Sequence, residues 1–194
     1  DAIATTVPTT VSFGSEPAAV VLAREGDDIT RQDVPIESLA DYVSELGNPG
    51  NSRHLVGAEA QLPREILRGG LQLVDTPGVG GTESRNALAT LSSLATATAV
   101  ILVSDASQEY TEPEIQLLRY AMRVSPNVAT VLAKTDLYSE WRQIERIDRD
   151  HLRQIGKLPL FAVSSDLRLR AADERDRVLN DESGFPALVA HLRG

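Results

Sequence analysis

The chain has 194 residues, 42% of them hydrophobic, and its 28 acidic against 19 basic side chains give a formal net charge of -9 and a pI near 4.8. This size and apolar content suit one globular domain and exclude a disordered or fibrous chain. The acid excess leaves no diffuse basic footprint, so nucleic acid is not an expected partner, and the lack of cysteine excludes a disulfide framework and thiolate metal sites.

A cysteine-free chain fits the reducing cytoplasm. No apolar run approaches the ~20 residues of a membrane helix, and Asp1-Ala2-Ile3-Ala4 has neither the basic region nor the apolar core of a signal peptide. Asp1 is not an initiator methionine, so the expectation is a piece of something longer.

In chain order, Val7 to Phe13 and Ala18 to Ala23 are apolar, β-branched runs around Gly14-Ser15-Glu16-Pro17, which predicts two adjacent strands joined by a hairpin or tight connection. Ser38 to Leu46 has helical spacing in Leu39, Tyr42, Val43 and Leu46 and stops at Gly47-Asn48-Pro49-Gly50-Asn51. Leu55 to Leu62 reads as a strand. Apolar runs then alternate with amphipathic stretches, the pattern of a wound α/β sheet. Strands are predicted over Leu71–Val74, Ala99–Val103, Val128–Leu132 and Leu160–Val163, with helices near Asn86–Thr96, Glu112–Val124 and Glu140–Ile155. Trp141, Ile144, Leu152 and Ile155 share one face of the last helix and read as core. Arg168 to Glu182 is a polar segment, and Phe185 to Leu192 is a closing helix with Phe185, Leu188, Val189 and Leu192 on its apolar stripe.

Chemistry concentrates at strand ends, where open α/β sheets bind ligands. Leu71 to Val74 ends in Asp75-Thr76-Pro77-Gly78, a D-x-x-G element followed by Val79, Gly80 and Gly81. An acid there can hold Mg²⁺ through water, and the Gly78 N–H can sense a γ-phosphate. Alone, such a pair is common by chance. After the strand near Val128 comes Ala133-Lys134-Thr135-Asp136. The Asp136 carboxylate can accept both the ring N–H and the exocyclic amine of guanine, while the Lys134 stem covers the base. Ala133 stands where [NT]-K-x-D has a bracing side chain. The last strand leaves through Ser164 and Ser165, where GTPases place a loop whose backbone reaches the guanine oxygen. Ala4-Thr5-Thr6-Val7 precedes the first strand, and a threonine hydroxyl there can ligate Mg²⁺; Thr9 and Thr10 are rivals that fall inside the strand. The G-x-x-x-x-G-K-[ST] phosphate cradle is absent from these residues.

With these residues in place the chain resembles the bacterial dynamin-like GTPases, and within them the mycobacterial and actinobacterial isoniazid-inducible protein A family. The resemblance runs from about Asp1 to His191. It is carried by Leu67-Arg68-Gly69-Gly70-Leu71 and Val74 to Gly81, by Val103 to Glu114, by Lys134 to Tyr138 with Trp141-Arg142, by Ala162 to Ser165 and by Asn180 to Ala187. It implies a P-loop GTPase-type three-layer α/β/α domain with a mostly parallel sheet, spanning residues 1–194 and lacking the first strand and phosphate loop. It also implies GTP/GDP and Mg²⁺ as ligands, a homodimer formed through the GTPase domain, and a stalk and membrane tip elsewhere in the intact protein. That protein would be cytoplasmic and peripheral at the inner face of the plasma membrane.

On the family's pattern Thr5 and Asp75 meet the metal, Gly78 the γ-phosphate, Lys134 and Asp136 the base. Thr5 and Gly78 are then the candidates nearest the reaction, in which water attacks the γ-phosphorus under charge stabilisation. Val79, Gly80 and Gly81 offer no water-orienting group, so that group would come from the cradle, from the segment around Thr5 or from a dimer partner. Without the cradle the chain alone is expected to hold GTP weakly. Without the first strand, those near Ala18 and Leu71 are expected to lack a neighbour. The alternative reading is a pseudo-GTPase that binds a protein partner through the same fold.

Overall fold

The computed structural model describes residues 5–78 and 94–193, and the chain divides into two compact units, Asp1–Thr96 and Ala97–Gly194. The helix predicted near Asn86–Thr96 lies outside the described residues except at 94–96, which are helical.

The first unit contains β1 (Thr9–Phe13), β2 (Ala18–Glu25), β3 (Asp28–Val34), α1 (Ala40–Val43), β4 (Leu55–Leu62) and β5 (Leu73–Asp75), in one sheet of order β3-β2-β4-β1-β5. Alternation in β2 turns Ala19 and Val21 inward, where they meet Val7, Val34, Leu55 and Ala58, with Leu39, Tyr42 and Val43 packed against them. β1 and β2 do not form the predicted hairpin. β4 lies between them, parallel to β1 with Ala60 opposite Val11 and antiparallel to β2 with Ala60 opposite Ala19. Small buried residues on both of its faces, Gly57, Ala58 and Ala60, suit a central strand. The Gly14–Pro17 connection steps over its end, the Gly14 N–H donating to Leu62 O at 3.2 Å.

The true hairpin is β2–β3, which turns through Gly26 at φ 65 between the paired Glu25 and Asp28. β3 escapes prediction because six of its seven residues are exposed, which erases the apolar alternation. The helix predicted from Ser38 shrinks to the four residues of α1. Ser44 turns extended (φ -97, ψ 154) and bridges to Thr5, leaving Leu46 79% exposed. The strand near Ala18 has neighbours on both sides, contrary to expectation, whereas among the described residues β5 pairs only with β1, and Leu73 and Val74 are exposed.

The second unit alternates β6 (Ala99–Asp105), α2 (Glu112–Val124), β7 (Asn127–Ala133), α3 (Trp141–Ile155) and β8 (Leu160–Ala162), then adds α4 (Ser165–Glu174), α5 (Arg177–Glu182) and α6 (Phe185–Arg193). Its sheet is parallel, in the order β6-β7-β8. β7 is central, and Val128 to Leu132 are buried without a break. Val131 of β7 and Val163, just past β8, pack against Leu188 of α6, with Phe185 and Leu192 beside them. The segment after Arg168, read as polar connection, is helical. The Ser164 hydroxyl caps α4 by accepting from Leu167 N–H, and Asp176 caps α5 by accepting from Val178 and Leu179 N–H. Gly184, at φ 72, passes so close to β8 that a Cβ there would sit 2.0 Å from Ala162 O.

Candidate functional site

The residues expected to meet phosphate and metal lie in the first unit. Thr6 donates to Val43 O twice, from its N–H at 2.8 Å and its hydroxyl at 3.0 Å, which pins the chain against the end of α1. Thr5 precedes that anchor, and its hydroxyl donates to Asp75 Oδ2 at 2.6 Å across seventy residues of sequence. Asp75 ends β5, opposite Thr9 of β1. The pairing of β1 with β5 therefore brings the two predicted metal residues together. Thr9 itself is buried in the strand, its hydroxyl turned to Val7 O, which removes it as a rival. Beyond Asp75, Pro77 is fully buried and Gly78 is exposed, with open space where a Cβ would be. Val79, Gly80 and Gly81 lie outside the described residues.

A hydroxyl that donates to a carboxylate keeps its own lone pairs for a cation. Among the described residues no three His, Cys, Asp or Glu gather as a metal cage. Two hard oxygens without such a cage fit Mg²⁺, which keeps waters and takes phosphate oxygens, better than Zn²⁺.

The residues expected to meet the base lie in the second unit. Lys134 follows β7 in a left-handed conformation at φ 60, and Leu137 N–H closes a turn onto Lys134 O at 3.1 Å. Thr135 N–H donates to Val163 O at 3.3 Å. The Asp136 carboxylate stands exposed, with no hydrogen-bond partner among the described residues. Lys134 Nζ reaches Asp105 Oδ2 at 3.2 Å, and Asp105 also accepts from the Ser107 N–H and hydroxyl. The Ser107 hydroxyl first, then the Ser107 N–H and Lys134, hold the Asp105 carboxyl below its usual range against a smaller opposing effect of burial.

The two serines separate in role. Ser164 is buried, its hydroxyl engaged in the α4 cap and its N–H given to Ser183 O at 2.9 Å. Ser165 is the exposed first residue of α4, where backbone N–H groups are free of helical partners.

Two residues of this unit were not singled out from sequence. Asp105 is one, and the β6–β7 register that sets it beside Ala133 was its only signal. Asp148 is the other. It is fully buried on α3, with Oδ1 accepting from Tyr110 N–H at 2.8 Å and Oδ2 without a partner among the described residues. Burial pushes its carboxyl up to about 6. Its position midway between Ile144 and Leu152, on the stripe read as core, was the available sign. Asp148 and the His151–Glu109 pair (2.7 Å) tie α3 to the loop that follows Asp105.

The comparisons with known proteins bear on family and fold. The model of the Dynamin family matches residues 1–135. Isoniazid-induced protein IniA, in two strains of Mycobacterium tuberculosis (CDC 1551 / Oshkosh and H37Rv), is 42% identical over 192 residues, which cover 97% of this chain and 30% of that protein. An uncharacterized protein in the xynA 3' region of a Caldicellulosiruptor species is 25% identical over 184 residues, 92% of this chain and 45% of its own. The chain thus spans less than half of each relative. A solved bacterial dynamin pair, described as oligomerised and as a mechanism for long-range sensing and tethering of membranes, shares the fold at a TM-score of 0.73 and 16% identity. That match covers 95% of this chain and 32% of the other. The fold is therefore the mixed α/β fold of a bacterial dynamin GTPase domain, and with the family matched through residue 135 this chain belongs to the dynamin family.

Proposed function

We propose that this chain is the GTP-binding and GTP-hydrolysing domain of a dynamin-like protein that couples hydrolysis to membrane remodelling. The observation that carries the reading is the 2.6 Å bond from the Thr5 hydroxyl to Asp75 Oδ2, because it joins the two hard-oxygen residues a nucleotide-bound Mg²⁺ needs. When bound, Mg²⁺ neutralises charge on the β- and γ-phosphates. Thr5 and Asp75 would hold that ion, Gly78 would offer its N–H to the γ-phosphate, and no side chain need act as a strong base. Lys134 covers the guanine face while Asp136 accepts from its edge, with backbone N–H groups at Ser165 as the remaining contact.

Oligomerisation through this domain and membrane contact through other parts of the intact protein complete the reading, which makes it cytoplasmic and peripheral at the membrane. The described oligomeric, membrane-tethering bacterial dynamin pair of like fold supports both. No described helix is long and apolar enough to cross a membrane.

Steady-state GTP turnover by the intact protein tests the site. Asp75→Ala should lower kcat/KM by roughly a hundredfold, the scale of losing one charge-stabilising contact in a preorganised site. Unchanged turnover would sink the reading and favour the partner-binding module, to which Ala133 lends its only support.

A further inference from the structure

We propose that Asp105 is the positioning residue of the base element, its carboxylate fixing the Lys134 stem where Ala133 provides no side-chain brace. The inference rests on the guanine reading above. The ladder between β6 and β7 sets Asp105 opposite Ala133, and Ala106 N–H donates to Ala133 O at 3.0 Å, so the backbone of the two loops is already joined. What Ala133 leaves open is side-chain control of the residue that follows it. Lys134 needs such control twice over, because φ 60 is unfavourable for a non-glycine residue and its four-carbon stem has many rotamers.

Asp105 divides its two oxygens between the tasks. Oδ1 accepts from the Ser107 N–H at 3.0 Å and from the Ser107 hydroxyl, which stops the carboxylate rotating, and Oδ2 faces Lys134 Nζ at 3.2 Å. The side chains of the pair are 40% and 33% exposed. An ion pair so wet adds little stability, which leaves orientation as its effect. The residue type agrees. Only two of the nineteen basic side chains are lysines, Lys134 and Lys157. An arginine would fork onto the carboxylate, as Arg31 does on Glu59 at 3.1 and 2.6 Å, whereas a lysine meets it at one point and leaves its stem clear for a flat ligand.

The test uses Asp105→Asn, which keeps an acceptor for Ser107 and removes the charge facing Lys134. In the intact protein the variant should bind GDP about tenfold more weakly, the loss of one charge-assisted contact, with no further loss when added to Lys134→Ala. Ser107→Ala, which keeps the charge and loosens its hold, should lose less. A ligand-free arm reads the pair itself: brief acetylation resolved by peptide mass should label Lys134, freed from its carboxylate partner, several-fold faster relative to Lys157 in Asp105→Asn than in the parent. Parental GDP affinity in Asp105→Asn, a loss that persists in the Lys134→Ala background, or unchanged Lys134 labelling overturns the assignment. If Lys134→Ala and Asp136→Ala both bind GDP as the parent does, it is the guanine reading that fails, and the labelling still decides whether Asp105 positions Lys134.

Discussion

At Asp148 burial opposes ionisation. The side chain is fully covered, one oxygen has the Tyr110 N–H and the other has no partner among the described residues, so the carboxyl titrates at about 6 instead of near its ordinary 3.8. The folded value lies above the unfolded one, so the folded chain holds this proton more tightly. The Asp148 contribution to stability is therefore fully present below about pH 4 and is lost as pH rises through about 6. The surrounding His151, Glu109 and Glu114 modify the burial effect without reversing it. Asp148→Asn keeps the acceptor for Tyr110 and cannot ionise. Between about pH 4 and about pH 7 its stability should move in its favour, relative to the parent, by on the order of 2 kcal/mol. Urea unfolding at the two pH values measures this, and a difference that does not change with pH would contradict it.

At the scale of elements, the parts legible in the sequence were those whose residues are buried in a fixed period. β7 is buried without a break from Val128 to Leu132, apolar except at Thr130, and α2 carries a Thr111–Glu114 capping box with Pro113 in its first turn. β3 was illegible because it is an exposed, polar strand held by the β2 ladder. α4 and α5 were illegible because Ala171 is the only residue buried along them, so their order comes from caps at Ser164 and Asp176 rather than from an apolar stripe. Removing the second cap, Asp176→Ala, strips two backbone N–H groups of their acceptor and should cost about 1 kcal/mol, seen as a lowered thermal midpoint with the fold intact. A midpoint equal to the parent's would mean that α6 alone holds this segment.

The site was legible to the same degree. Asp75, Lys134 and Asp136 stand at strand ends, where position in the chain implies position in the fold. Thr5 needed the sheet: only the pairing of β1 with β5 shows that it meets Asp75. Asp105 needed the register of two strands, and Ser164 needed the cap geometry that turns its hydroxyl inward.

For the molecule as a whole, the residues proposed for metal and phosphate belong to Asp1–Thr96 and those proposed for the base to Ala97–Gly194. The 194 residues contain no G-x-x-x-x-G-K-[ST] cradle, whose backbone N–H groups and lysine supply much of the hold on the phosphates. We therefore expect these residues alone to bind GTP far more weakly than the intact protein; equilibrium titration with a fluorescent guanine nucleotide reads this directly, and micromolar affinity would contradict it.

The central claim, that the exposed Asp136 selects guanine, is tested most directly by exchanging its chemistry. A carboxylate accepts from the ring N–H and amine of guanine, whereas an amide can also donate to the carbonyl that xanthine carries in place of the amine. In the intact protein, competition titrations of Asp136→Asn should show GDP affinity falling by at least about a hundredfold while xanthosine diphosphate, a poor ligand of the parent, becomes the preferred one. Retained GDP preference in Asp136→Asn would contradict the account.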